Sequence, residues 1–223
     1  MDAVKTNDLS ASADRSSEEF VNCATHGAGI ILSVAGTIFL FATMRAPSEA
    51  GRFISCLVYT ASLISVYTMS TLSHVAFENR RRNFYRALDQ GCIFLLIAGT
   101  CTPMAVFYLP PAVCLVLMCA MWSTALIGFF TKVFLAFQIY GVSVWMYVVL
   151  GWLPILATPW FVQAAPGRAL TLALVGGLFY TSGTIFLVTD HRCRYFHMIW
   201  HVFVMIASTL HFLGILFYVA WAT

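Results

Sequence analysis

Charge is what this chain is shortest of. Only 9% of its 223 residues are Asp, Glu, Lys or Arg, against about 25% in an average soluble domain. Apolar residues make up 61%, and the mean hydropathy is +0.85. So few charges exclude a water-soluble domain and point to a membrane protein. The seven cysteines, Cys23, Cys56, Cys92, Cys101, Cys114, Cys119 and Cys193, include no C-x-x-C pair and are odd in number, which excludes a fully paired disulfide framework. Most lie in apolar runs, where Cys acts as a small apolar residue. No repeat of 20 to 50 residues and no soluble domain boundary is present. The first 19 residues carry five acidic groups beside Lys5 and Arg15, so they form neither a signal peptide nor a basic, acid-free transit peptide. The domain plan is a disordered polar tail, 1–19, followed by one transmembrane domain, 20–223.

What is abundant is uncharged length. Residues 20–44, 53–77, 91–131, 133–167, 169–189 and 195–223 contain no Asp, Glu, Lys or Arg, and a helix needs roughly 20 such residues to cross a bilayer. The 91–131 run is too long for one crossing and carries Pro110-Pro111 at its middle, a pair that suits a tight turn, so it divides into two. In 133–167 the prolines Pro154, Pro159 and Pro166 crowd the end, which reads as one helix and a trailing loop. The total is seven. A segment in lipid must satisfy its own backbone, which selects helices, and short alternating strands of the β-barrel kind are missing. The fold class is therefore an all-α bundle of seven transmembrane helices.

Seven crossings put Lys5, Arg15, Arg80, Arg81, Arg82, Arg86, Lys132, Arg192 and Arg194 on the side of the N-terminus, and only Arg45, Arg52 and Arg168 on the other. The positive-inside rule then makes the N-terminus cytosolic and the C-terminus external. The Arg80–Arg82 triplet reads as a juxtamembrane anchor, not a nucleic-acid patch.

This topology places four ionisable groups in one leaflet. His74 ends the second crossing, Asp89 begins the third, and His197 and His201 begin the seventh, all on the cytosolic side. His197 and His201 are separated by about 400° of helix rotation and about 6 Å of rise, so they share one stripe. Ser70 bears the same relation to His74. Three imidazoles with a fourth position left to water describe a catalytic rather than a structural zinc site. The alternative is that these groups hydrogen-bond between helices, although ionisable residues within a span are functional candidates by default.

The same residues carry a family resemblance. The stretches "EEFVNCATHG" from Glu18, "STLSH" from Ser70, "RALDQGCIFLLIAGTCTP" from Arg86 and "YFHMIWHVFVMIASTLHF" from Tyr195 resemble the haemolysin-III-like branch of the progestin and adipoQ receptor family, seven-helix proteins that include the adiponectin receptors. The resemblance implies a zinc ion held by His74, His197 and His201. It implies that Asp89 holds or activates the metal-bound water and that Ser70 stands beside it. The family is also similar to alkaline ceramidases, which implies hydrolysis of an amide bond in a ceramide-like acyl lipid. Zinc supplies both an activated water and a polarised carbonyl; Asp89 would take the proton and Ser70 would bond the water or the developing oxyanion.

Glu19, Asn22 and His26 share this depth, as supports for the ligands or as caps and interhelical hydrogen-bonders. His211 lies ten residues beyond His201, about 15 Å deeper, and is expected to hydrogen-bond between helices. His191 is expected to be solvated in its loop. Gly99, Gly176, Gly177 and Gly183 are expected where helices pack closely, and Pro103 at a kink. The expected surroundings are the lipid bilayer and an acyl lipid, with no nucleic acid; protein partners and the particular membrane are not written in the residues. Two other classes of function remain in play: a receptor or signalling protein with structural zinc, and a pore-forming haemolysin, for which no span offers a repeated polar stripe.

Overall fold

A computed structural model describes residues 2–46, 49–135 and 144–222, with side chains from Ser17 onward. Among the described residues the chain is helical and contains no strand. The helices are α1 (Asp2–Thr43), α2 (Ala50–Val75), α3 (Asn79–Tyr108), α4 (Pro111–Leu135), α5 (Trp145–Trp152), α6 (Thr158–Ala164), α7 (Gly167–Val188) and α8 (Phe196–Ile215). A 3-10 turn, Leu153–Ala157, joins α5 to α6, and a π turn, Leu216–Ala220, extends α8. Seven of the resulting rods are long and apolar enough to cross a membrane, so the protein is an integral, multi-pass membrane protein.

Three boundaries differ from expectation or sharpen it. The uncharged part of α1 starts at Phe20, but the helix runs outward to Asp2, because extending an existing helix costs far less than nucleating one. The proline pair does make the turn between two crossings: α4 begins at Pro111, where a missing N–H is no loss. The fifth crossing, however, is Trp145–Ala164, and Pro154 and Pro159 lie inside it instead of in a trailing loop. Each sits in the first turn of a fresh helical segment, so the rod restarts twice without orphaning a backbone donor. The beginning of the crossing expected from residue 133 falls partly at 136–143, outside the described residues.

α2 packs most extensively on α3, and α7 on α8. Small residues set these distances. A Cβ at Gly183 would meet Phe203 Cβ at 2.8 Å, and one at Gly176 would meet the His211 ring at 2.7 Å; Gly99 similarly fits against Ser62 of α2. Gly177, by contrast, faces open space. Pro103 lies inside α3, fully buried. His211 stacks on Tyr180 with ring centroids 5.7 Å apart, a ring contact where a hydrogen bond was expected. All seven cysteines are free.

The end of the bundle that carries the C-terminus is closed by Arg52, in the first turn of α2 and only 5% exposed. Its guanidinium donates to the carbonyls of Ala222 (2.7 Å) and Arg45 (3.2 Å). It pairs with Glu49 at 3.1 Å and covers the Phe107 ring at 4.6 Å. Trp221 Nε1 donates to Thr43 Oγ1 at 2.9 Å, and Tyr108 donates to the Tyr218 carbonyl. This set fastens the last residues to α1, α2 and α3. Arg52→Met removes two charge-assisted hydrogen bonds, about 3 kcal/mol in all. The unfolding midpoint of detergent-solubilised protein should fall by roughly 10 °C; an unchanged midpoint would deny the clasp any part in stability.

Candidate metal centre

The opposite end of the bundle is polar inside. His74 stands in the last turn of α2. α8 starts after Tyr195, which takes the left-handed conformation (φ 65°), and presents His197 in its first turn with His201 one turn deeper. The four-residue spacing stacks these two on one stripe, with centroids 4.6 Å apart, and the His74 ring is 5.3 Å from each. One ring nitrogen from each of the three lies within 4.8 Å of the others, so the cluster could hold a metal ion.

The outer nitrogens decide which atoms face inward. His74 Nδ1 is 2.6 Å from Glu19 Oε2, and His197 Nδ1 is 3.2 Å from Asp190 Oδ2. A carboxylate only accepts, so both rings donate from Nδ1. His201 Nδ1 is 3.2 Å from Thr25 Oγ1. The Thr25 hydroxyl proton is already given to the carbonyls of Val21 and Asn22, each at 2.9 Å, so Thr25 accepts from His201. Neutral rings with these partners carry the proton on Nδ1 and offer their three Nε2 lone pairs to an ion. His74 Nε2 is buried without a hydrogen-bond partner among the described residues, as a ligand atom awaiting a metal would be. Three neutral imidazoles held from behind are the donor set that suits zinc.

A second group of side chains flanks the cluster. Ser70, one turn before His74, places its hydroxyl 2.7 Å from His26 Nδ1 and interacts with the Asp89 carboxylate. The His26 ring stacks on His201 at 3.5 Å and 17°, and Tyr67 meets its edge at 5.1 Å. His26 is 3% exposed but falls outside the three-nitrogen cluster. His26, Ser70, Asp89 and His201 line one cavity of about 560 Å³ whose wall takes side chains from all seven crossings: Glu19, Ser70, Asp89, Lys132, Tyr147, Leu187 and His201 in chain order. Four acidic side chains, Glu18, Glu19, Asp89 and Asp190, share that wall with two basic ones, Arg86 and Lys132. Lys132 donates to the Gln90 side chain at 3.0 Å, and Tyr147 donates to the Gln90 carbonyl, also at 3.0 Å.

The five residues singled out in the sequence, Ser70, His74, Asp89, His197 and His201, thus line one cavity, together with Glu19, Asn22 and His26. His191 is exposed at its rim. His211 lies elsewhere, against Tyr180. Thr25 and Asp190 escaped sequence reasoning. Asp190 carries a faint signal, a carboxylate two helical turns ahead of His197 in a short loop; Thr25 carries none, since its role depends on how α1 is rotated.

Comparison with known proteins locates these features in a wider group. Residues 15–212 match the family model described as haemolysin-III related. The chain is similar to the hemolysin-3 homolog of Bacillus subtilis, at 32% identity over 90% of this chain and 94% of that protein. It is similar to hemolysin-3 of Bacillus cereus, at 33% identity over 91% and 92%. A more distant likeness is to the monocyte to macrophage differentiation factor of Homo sapiens, at 24% identity over 89% and 83%.

Protein purified in detergent and analysed by plasma mass spectrometry should carry about one zinc per chain. His74→Ala, His197→Ala and His201→Ala should each lose it, while His26→Gln, beside the cluster but outside it, should keep it. A metal-free wild type, or a His26 variant as empty as the others, would overturn this assignment of ligands.

Proposed function

This chain belongs to the haemolysin-III-related family, and from that premise we propose that it is a zinc-dependent hydrolase of acyl lipids, acting on the amide bond of a ceramide-like substrate. The observation that carries the proposal is the meeting of three imidazole rings, one nitrogen of each within 4.8 Å of the others, with a carboxylate and a hydroxyl in one cavity. His74, His197 and His201 would hold the ion. When bound, it supplies a Lewis acid that polarises a carbonyl and makes water a nucleophile near neutral pH.

The chain's own groups supply the rest. Asp89 takes a proton from the attacking water and returns it to the nitrogen as the C–N bond breaks, leaving a fatty acid and a free amine. Such proton transfer contributes about 10²- to 10⁴-fold. Ser70, which interacts with Asp89, orients that carboxylate or donates to the oxygen on which charge develops. Val66, Ile93, Leu187 and Val204 add apolar wall to the same cavity, which suits an acyl chain entering from the leaflet. The excess of Lys and Arg at this end of the bundle supports a cytosolic N-terminus and a site near the cytosolic face.

A receptor with structural zinc would use the same ligands without turnover. The haemolysin name of the Bacillus relatives raises a pore instead, but the packed cluster around Leu40, Tyr59, Leu63 and Ile215 and the Arg52 clasp support a bundle closed beyond the cavity. The test is untargeted lipid analysis of cells making wild type or Asp89→Ala, followed by turnover of the lipids that differ on purified protein. Wild type should deplete an N-acyl lipid and release its amine, and Asp89→Ala should lose at least 100-fold in rate with its zinc retained. Zinc-loaded wild type that turns over no N-acyl lipid would remove the enzyme reading and leave the receptor.

A further inference from the structure

We infer that Glu19 is the positioning residue of this metal centre: it fixes the His74 ring, so that the first helix, which offers no ligand, governs how tightly the ion is held. The inference rests on the metal reading above and concerns a residue outside the three-histidine set.

The argument starts from charge. Three neutral imidazoles bring a divalent cation nothing to offset its charge in a surrounding of low dielectric. Among the described residues, two carboxylates bond directly to ligand rings, Glu19 to His74 and Asp190 to His197. They are not equal. The Glu19 contact is 2.6 Å and its side chain is 21% exposed, whereas the Asp190 contact is 3.2 Å and its side chain is 39% exposed. The His201 partner, Thr25, is neutral. A shorter, drier, charged hydrogen bond is the strongest of the three.

Orientation gives the second step. His74 Nε2 has no partner among the described residues, and the hydrogen bond to Glu19 is what holds the other side of that ring. Without it, a half-turn about the Cβ–Cγ bond would exchange nitrogen for carbon at the metal-facing positions. Glu19 itself is restrained. It stands on α1 just before the uncharged run, and its second oxygen is 3.7 Å from Arg86 Nη2 of α3. One carboxylate thereby ties the starts of α1 and α3 to the end of α2.

The experiment measures zinc affinity of the full-length protein in detergent by competition with a fluorescent chelator, with thermal unfolding of zinc-free protein alongside. Loss of a group behind a metal-bound histidine typically costs about 10- to 100-fold in affinity. Glu19→Ala is expected near the upper end, and Glu19→Gln, which keeps an acceptor oxygen but no charge, near the lower end. Asp190→Asn should cost less than Glu19→Gln. A purely structural role would lower the unfolding midpoint of the zinc-free protein and leave affinity unmoved, and that result overturns the inference while wild-type zinc binding still stands. An Asp190→Asn loss equal to or greater than that of Glu19→Gln overturns it as well. Wild type that binds no zinc removes the inference together with the metal reading. Should Glu19→Ala fail to fold, the nearly isosteric Glu19→Gln decides alone.

Discussion

A bilayer gives a polar group no water to fall back on, and that constraint organises this molecule from end to end. Each backbone must close its own hydrogen bonds, which makes every crossing a helix and favours proline where a helix begins, Pro103 inside α3 being the exception. Hence Pro111 opens α4, and Pro154 and Pro159 reopen the fifth crossing instead of ending it. Side chains obey the same rule. Buried hydroxyls in α2 and α3 donate to carbonyls one turn back, as Thr60 does to Cys56, Thr100 to Leu96 and Thr102 to Ala98. The groups with more hydrogen-bonding capacity than a helix can absorb gather at the two ends, around Arg52 and around the histidines. Between them lies the apolar cluster that includes Leu40, Tyr59 and Leu63.

That sorting explains what a reader of the sequence could and could not see. Charge gaps locate crossings well because charge is excluded from them, and their alternating direction is enough to bring His74, Asp89, His197 and His201 to one leaflet. The His-x-x-x-His spacing adds a shared face. Depth and face are properties of a single helix, so they survive in a linear sequence. Rotation of one helix against another does not. Thr25 meets His201, and Gly183 rather than Gly177 receives a neighbouring ring, because of helix orientations that no local spacing encodes. The fifth crossing was misplaced for a related reason: a charge gap records where charge is absent, not where a helix starts over. Asp190 depended on a turn closed by a left-handed Tyr195, which a bulky aromatic residue does not announce.

The two ends invite different functional readings, and their construction separates them. At the C-terminal end the polar groups serve structure, although Arg52 Nε is left without a partner among the described residues. Arg52 meets two carbonyls, a carboxylate and a ring, and the outcome is closure. At the histidine end the reverse holds. His26 Nε2 and His74 Nε2 are buried with no partner among the described residues, beside a cavity with carboxylates and hydroxyls in its wall. Orphaned lone pairs cost about 1–3 kcal/mol each when nothing occupies them. Two imidazole nitrogens left in this way beside a cavity are what a site for an ion or ligand would present.

The binding site and the fold are therefore not separable parts. Ligand nitrogens come from α2 and α8, while their hydrogen-bond partners come from α1 and from the loop after α7. An ion drawn to the three Nε2 atoms would pull together segments that already meet through a few directed hydrogen bonds, His26 to Ser70 and Tyr67 to Ser208 among them, and otherwise through apolar contacts, which constrain distance far better than orientation. Such an ion would give the polar end of the bundle a registry that packing alone does not supply. By the same linkage, any ligand that shifts α1 against α2 must alter how the ion is held. Enzyme and receptor readings share that coupling, and what distinguishes them is whether Asp89, across the cavity, moves a proton once a lipid is there.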